Sequence, residues 1–234
     1  MKLACASSAF SRAIERGDLT QIEFVEMCAR RLACDGVVLD VAHFPRTDSD
    51  YLAQIAKMAV DLGLDIAAVA DDGFFASDDA GLRATIDIAL ALGAPLIAAR
   101  LGRESAAPWS VQRERLGSAT TLAKAANVTL ALRNAPGTYA ATTADLKRVA
   151  KEADSAWLRY GLEPAALDAA SDPASLPDKV VLLWSQVSDD LPTLLARYGE
   201  FLGYIALDDA GGLGDADKIR TRMQAWRVEW FDRM

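Results

Sequence analysis

The stretch VTLALRNAPGTYAATTADLKRVAKEADSAWLRYGLE, residues 128–163, contains one full repeat of the pattern that decides the fold. Residues 128–132 form an apolar run, which is typical of a strand buried on both faces. A Pro-Gly turn follows, and Thr142 with Asp145 three residues later forms a start that resembles a capping box. A second apolar run then ends at Glu163. This order predicts a parallel β-α-β unit.

The same alternation continues in both directions from this unit. Strand-like runs lie at residues 2–7, 36–42, 64–70, 95–101, 128–134, 157–163, 180–186 and 203–209. Eight such units within about 250 residues are the size of a (β/α)8 barrel. An open doubly wound sheet usually carries a glycine-rich turn after its first strand, and the sequence CASSAF has no glycine there. We therefore predict a single TIM-barrel domain, residues 1–234.

Helix ends are also marked in the sequence. Apolar residues recur at spacings of three and four before Gly63 and Gly93, and a further helical stretch ends at Asn127. Glycine and asparagine accept the left-handed conformation that closes many helices. These three positions are therefore predicted helix C-caps.

Composition narrows the class of function. The chain has 25 Lys and Arg against 33 Asp and Glu, a net charge of −8, which disfavours a nucleic-acid partner. Cys5, Cys28 and Cys34 form an odd set without a C-x-x-C pair, so we expect buried, reduced thiols and a cytoplasmic location. No apolar run approaches the ~18 residues of a membrane span, so neither a membrane partner nor a leader is expected.

Polar residues gather where the predicted strands end. In a barrel of this kind, chemistry takes place at the carboxyl ends of the strands. These ends carry Ser7, Ser8, His43, Phe44, Asp71, Asp72, Arg100, Arg103, Arg133, Asn134, Glu163, Trp184, Gln186, Asp208 and Asp209. The sequence contains no phosphate-binding Walker loop, no H-E-x-x-H and no G-x-S-x-G motif.

The segment LALRNAPGT, the strand that ends in Glu-Pro at 163–164 and the run GYIALDD resemble the xylose-isomerase-like barrels. That superfamily includes sugar-phosphate isomerases, ketose epimerases and the second type of AP endonuclease, and the resemblance covers nearly the whole chain. It implies one divalent metal held by Glu, Asp, His and Glu from the last four strands. In the family the metal polarises substrate oxygens, and the two glutamates move a proton between adjacent carbons.

The resemblance places different residues at these four positions here. The first Glu position is Arg133, the Asp position is Glu163, the His position falls at or next to Trp184, and the second Glu position is Asp208. A guanidinium only donates hydrogen bonds and cannot ligate a cation. We therefore expect no metal or other cofactor, and we expect Arg133 to lie between the two acids in place of the metal's charge.

These assignments predict a divergent sugar isomerase or epimerase. Glu163 or Asp208 would act as the base, His43 as a second acid-base group because its usual pKa is near neutrality, and Arg133 as the polarising cation. The expected ligand is a small carbohydrate or sugar acid. The predicted substrate-binding residues are Asn134, Trp184, Gln186, Arg100 and Phe44.

Other interpretations remain open at this stage. The barrel could be a non-catalytic carbohydrate- or partner-binding protein, and Arg133 could be a structural salt bridge. DNA repair is disfavoured, because the AP endonuclease branch needs a histidine-rich metal cluster and this chain has one histidine. A homo-oligomer is compatible with the sequence.

Three further motifs have both a binding and a structural interpretation. Phe44, Phe74, Phe75 and Trp184 are either a ligand wall or core packing. The arginines 100, 103, 113 and 115 are either an anion site or a solvated face, and the GGLGD segment at 211–215 is either a phosphate loop or a flexible one. Asp71-Asp72-Gly73 is interpreted as a turn.

Overall fold

The computed structural model describes residues 2–167, 175–176, 180–198, 203–209 and 211–231. Eight parallel strands form a closed barrel in which each strand pairs with the next and the last pairs with the first. The strands are β1 (Lys2–Ala6), β2 (Gly36–Asp40), β3 (Asp65–Ala70), β4 (Leu96–Arg100), β5 (Thr129–Arg133), β6 (Leu158–Leu162), β7 (Val180–Gln186) and β8 (Tyr204–Asp208). Each lies inside a predicted run, which confirms the (β/α)8 fold; the single-domain boundary 1–234 stays a prediction.

Helices follow the strands around the outside. They are α1 (Ser11–Glu15), α2 (Gln21–Arg30), α3 (Ser49–Asp61), α4 (Asp79–Leu92), α5 (Trp109–Ala126), α6 (Thr143–Ala153), α7 (Leu191–Tyr198) and α8 (Ala216–Phe231). Gly93 and Asn127, with φ of 69° and 58°, are the C-caps of α4 and α5, as predicted, whereas Gly63, with φ of 70°, follows Leu62, the C-cap of α3. Thr142 and Asp145 form the predicted capping box of α6. Among the described helices, none is long and apolar enough to cross a bilayer.

The interior of the barrel is filled mainly by small side chains. Strand residues alternate between the layer under the helices and the barrel interior. The interior set comprises Ala4, Ala6, Val38, Ala67, Ala68, Ala70, Leu96, Ala98, Ala131, Leu182, Trp184 and Ala206. Trp184 is the largest of these side chains and is almost completely buried. Because most of these side chains are small, long polar side chains fit in the next layer, towards the carboxyl ends of the strands.

The three cysteines lie in the outer core. Cys5, Cys28 and Cys34 are buried and free, as the sequence predicts. Burial is the main cause that raises the pKa of the Cys28 thiol well above its usual value. These thiols therefore pack as small apolar groups.

Candidate functional site

The alternation along the strands places polar side chains at the mouth of the barrel. Arg100, Arg133 and Asp208 each follow an inward-facing alanine by two positions, and therefore point into the mouth. A cavity of about 320 Å³ opens there. Its lining residues are Ser8, Ser11, Asp40, Asp72, Arg100, Arg133, Glu163, Gln186, Asp208, Asp209, Gly211 and Gly212.

Arg133 is the most buried cation of this cavity. It is 4% exposed, and its Nη1 and Nη2 donate to Asp72 Oδ1 and Glu163 Oε2, each at 3.2 Å. Its guanidinium carbon lies 3.7 Å from the centre of the Trp184 ring, a cation–π contact. Burial lowers the pKa of Arg133, and the neighbouring Arg100 lowers it further, while the surrounding carboxylates raise it. Arg133 therefore points inward, as predicted.

Arg100 completes a closed set of ion pairs. Its Nη1 donates to Asp72 Oδ2 at 3.1 Å and its Nη2 to Glu163 Oε2 at 2.7 Å. Each arginine thus contacts both acids. We call Asp72, Arg100, Arg133 and Glu163 the ion-pair quartet, in which two positive charges neutralise two negative ones.

Asn134 fixes the backbone at one end of the ion-pair quartet. Its side-chain Nδ2 donates to the Glu163 carbonyl at 3.0 Å, and the Glu163 N–H donates to its Oδ1 at 2.7 Å. The Asn134 side chain is fully buried. Its contacts are those of a residue that positions Glu163, and it does not line the cavity among the described residues.

Asp208 lies on the other side of the cavity and has uncharged partners. Its Oδ2 accepts from Trp184 Nε1 at 2.7 Å, and its Oδ1 accepts from Ser8 Oγ at 3.0 Å and from the Asp209 N–H at 2.8 Å. The expectation that Arg133 bridges Glu163 and Asp208 is therefore corrected. The second acid bridged by Arg133 is Asp72, while the Trp184 indole, which lies under the guanidinium, bonds Asp208.

Asp40, at the end of β2, lines the same cavity. Its Oδ1 accepts from the Ala42 N–H at 2.9 Å. Burial raises the pKa of Asp40, and the charge of Asp72 raises it further, against the lowering effects of the Ala42 N–H, His43 and Arg133. We call Asp40, Asp208 and Asp209 the carboxylate side; no Lys or Arg in the described ranges forms an ion pair with any of the three.

His43 lies just outside the cavity lining. Its Nδ1 is 2.9 Å from Ser7 Oγ, and that hydroxyl accepts the Asp40 N–H at 2.9 Å. Which of the two groups donates in the contact between Ser7 and His43 depends on the His43 tautomer. Phe44 packs partly buried against the outer core.

The predicted site residues therefore separate into two groups. The residues that line the cavity are Arg100, Arg133, Glu163, Gln186 and Asp208. His43, Phe44, Asn134 and Trp184 support it from behind or beside it, so far as the described chain shows. No result tests their predicted roles, and these stay predictions.

Two further motifs can be compared with their interpretations. Asp71 makes the turn, since its Oδ1 accepts from the Gly73 N–H, but Asp72 projects into the cavity. Phe74 and Phe75 are buried in the outer core and form no ligand wall. Their contacts match the packing interpretation.

The arginine group is not assembled as one anion site. Arg100 belongs to the ion-pair quartet, whereas Arg103 pairs through its backbone with Thr138. Arg113 and Arg115 are exposed on α5. The solvated-face interpretation therefore holds for the two helix residues.

The glycine segment at 211–215 approaches the cavity closely. Gly212 has a φ of 60°, and a Cβ built there would lie 2.1 Å from Ser11 Oγ, so the position needs glycine. At the end of the segment, Asp215 Oδ1 accepts the Lys218 N–H. A carboxylate therefore already caps the start of α8, which disfavours a phosphate at that helix end.

Sequence reasoning missed Asp40 and Ser11 as site residues. Asp40 could have been found from the strand period, because Val38 faces the barrel interior and Asp40 lies two residues later. Ser11 lies in α1, and no motif in the sequence marks it.

The donor set of the cavity suits a guanidinium better than a divalent ion. Glu163 Oε2 and both oxygens of Asp72 already accept from guanidinium groups. A metal beside Arg133 would meet a fixed positive charge. Among the described residues, no group of three or more His, Cys, Asp or Glu side chains is arranged to hold a metal.

A family model described as a xylose isomerase-like TIM barrel matches residues 23–231. The comparison with curated protein sequences gave no match.

Solved structures provide further similarities in fold. D-Psicose 3-epimerase from Clostridium cellulolyticum H10, solved with D-tagatose, has a TM-score of 0.79 at 13% identity, over 97% of this chain and 99% of that one. The probable 3-DHS dehydratase AsbF from Bacillus anthracis has a TM-score of 0.76 at 13% identity, over 96% and 98%. A family 2 AP endonuclease from Brucella melitensis has 0.69 at 15%, over 92% and 96%.

Proposed function

Because this chain belongs to the xylose isomerase-like TIM barrel family, we propose that it acts on a small polyhydroxylated carbohydrate as an isomerase- or epimerase-like protein. In this proposal it moves a proton on a carbon next to a carbonyl group. The guanidinium of Arg133 provides the positive charge for which members of the family use a metal ion, and no cofactor is needed.

The observation that supports this proposal is the inward, buried guanidinium of Arg133 in a polar cavity at the carboxyl end of the barrel. A fixed cation beside a substrate oxygen stabilises the negative charge that develops when a neighbouring carbon loses a proton. Arg100, in the same ion-pair quartet, adds a second cation at this place. In characterised (β/α)8 barrels, the active site lies at this end of the strands.

The bases of this reaction are carboxylates of the cavity. The ion-pair quartet uses only Oε2 of Glu163, so Oε1 is the oxygen assigned to proton transfer. Asp208 takes the same role from the opposite side. His43, held by Ser7, exchanges protons with the cavity as the second acid-base group.

A non-catalytic binding protein is the second candidate. One observation favours it: both oxygens of Asp208 already accept hydrogen bonds. A carboxylate with these partners is a weaker base. The same cavity would then bind a carbohydrate without changing it.

Exchange of deuterium from solvent separates the two candidates. We expect a bound ketose or aldose in D2O to gain deuterium at the carbon next to its carbonyl, as measured by NMR, and Glu163→Gln to lower the rate at least about tenfold. Binding without exchange supports the second candidate. Exchange that is unchanged in Glu163→Gln and in Asp208→Asn would contradict the assigned bases.

Elemental analysis tests the role of Arg133. We expect purified protein to carry no stoichiometric divalent metal and to keep its activity in EDTA. Zinc, manganese or magnesium at one equivalent, lost together with activity, would contradict the replacement of a metal by Arg133.

A cytoplasmic location is also proposed, supported by the three free thiols.

A further inference from the structure

The charges that line the cavity are not balanced. Five carboxylates face two guanidiniums, and both guanidiniums are paired within the ion-pair quartet. None of the three acids of the carboxylate side forms an ion pair with a Lys or Arg among the described residues. Their hydrogen-bond donors are neutral, a hydroxyl, an indole and backbone N–H groups.

The two arginines have donor capacity that the protein does not use. Arg133 Nε and Arg100 Nε are buried and have no hydrogen-bond partner within the part of the chain described. The Arg133 side chain is only 5% exposed and lines the cavity. A buried N–H without an acceptor is unfavourable.

We propose that the ligand of this cavity carries an ammonium group as well as hydroxyl groups, so that the substrate class is an amino sugar or amino polyol. The hydroxyl oxygens face the arginines of the ion-pair quartet, and the ammonium faces the carboxylate side. This inference rests on the proposed function only in taking the cavity as the carbohydrate site.

The chemistry of the cavity discriminates among three classes of carbohydrate. A sugar acid would add a negative charge to a cavity with carboxylates in excess, which is unfavourable. A neutral sugar would leave the charge excess unchanged. An ammonium donates up to three hydrogen bonds and accepts none, which suits carboxylates that have no cation. The volume of about 320 Å³ lies at the small end for ligand pockets.

Titration calorimetry with matched ligands tests the proposal. The compounds are D-glucosamine, N-acetyl-D-glucosamine, D-glucose and D-glucuronate, together with 1-amino-1-deoxy-D-glucitol and D-glucitol, all with EDTA present so that no metal ion supplies positive charge. We expect each amine to bind at least about tenfold more tightly than its hydroxyl counterpart at low salt. This ratio should shrink as ionic strength rises.

The site variant is Asp209→Asn, which removes one carboxylate outside the ion-pair quartet. We expect it to weaken amine binding about tenfold and to weaken the binding of the hydroxyl counterparts by a clearly smaller factor. Asp87→Asn, the same change on the exposed face of α4, is the control for net charge and should change neither. Circular dichroism of both variants checks that they are folded.

Several results would overturn the inference. They are neutral or acidic members that bind as tightly as the amines, no binding by any amine, or an Asp209→Asn variant that behaves like Asp87→Asn. Deuterium exchange into a neutral sugar without an amine preference would refute this inference and leave the proposed function standing. Tight amine binding without deuterium exchange would support this inference and refute the proposed proton transfer.

Discussion

The two sides of the barrel mouth hold their acids in different ways. In the ion-pair quartet, Asp72 and Glu163 are bonded to two guanidiniums, and the charges cancel. On the carboxylate side, Asp208 is held by a hydroxyl, an indole and an N–H. The first arrangement is neutral in itself, and the second keeps a net negative charge.

This difference shows what each side can do. Guanidinium bridges fix the geometry of the cations and make the quartet a rigid block that presents positive charge to a ligand oxygen. The neutral donors orient Asp208 without cancelling its charge. Trp184 links the two sides, because its ring face contacts Arg133 and its N–H bonds Asp208.

Arg133→Ala breaks the ion-pair quartet and has the largest expected effect. It removes the buried cation from two acids and opens a space above the Trp184 ring. We expect the free energy of unfolding to fall by about 3 kcal/mol, as measured by urea denaturation. Arg100 still contacts both acids, which keeps the loss near the low end for a broken buried ion pair.

Two comparisons make this prediction sharper. Arg148→Ala removes an exposed ion pair with Asp145 and a contact with the Trp109 ring, and should cost no more than about 1 kcal/mol. Arg100→Ala should fall between the two, since its side chain is 31% exposed. An Arg133→Ala variant as stable as Arg148→Ala would show that burial of the guanidinium has no stabilising role.

Trp184→Phe removes a hydrogen bond to the carboxylate side, and we expect an intermediate effect on stability. Phenylalanine keeps a ring face for Arg133 but removes the N–H that bonds Asp208, which is 8% exposed. We expect a loss of about 1 to 2 kcal/mol in the free energy of unfolding. Trp109→Phe is the matched control, because Trp109 Nε1 donates to Glu152 on the surface, and equal losses in both would contradict the prediction.

Asp40→Asn tests the unpaired charge and has the smallest expected effect. Burial raises the pKa of Asp40, so the folded state keeps its proton to a higher pH than the unfolded state. Stability therefore falls as pH rises from the usual Asp value through the raised one, and the full cost is present at neutral pH. Asparagine keeps the acceptor for the Ala42 N–H and removes this cost.

We therefore expect Asp40→Asn to be more stable than the native protein at pH 7, by less than about 1 kcal/mol. The difference should disappear as the pH falls below that of Asp40 titration in the unfolded chain. Urea denaturation between about pH 3 and pH 7 measures it, with Asp87→Asn as the exposed control. A variant that is less stable at pH 7 would contradict the assigned cost.

The fold could be predicted from local signals. Each strand appears as an apolar run, and Gly63, Gly93 and Asn127 end helices through a backbone conformation that few residues accept. Thr20 and Glu23 carry the same capping-box signal as α6 and form the start of α2. Each of these signals lies within one strand or helix, so it can be recognised without knowing which other elements pack against it.

The candidate site could be predicted only in part. Strand ends identified Arg133, Glu163 and Asp208, because every barrel strand delivers its last inward residue to the same place. The pairing of Arg133 with Asp72 could not be predicted, because it depends on how the loop after β3 turns around Asp71. The two-residue period of β2 contained the signal for Asp40, but the predicted run, 36–42, extends two residues past the end of β2 and places His43 at the strand end.

The alanine-rich barrel interior has a consequence for how this protein can change. Eight of its twelve buried members are alanines, and Gly161 also leaves no room beside Arg133, since an added Cβ would lie 3.3 Å from that of Ala131. A Cβ added at Gly161 would also lie 3.5 Å from Cγ of Arg133. Evolution and protein engineers thus have few routes to reshape the floor of the mouth, so new specificity has to arise from the loops around its rim.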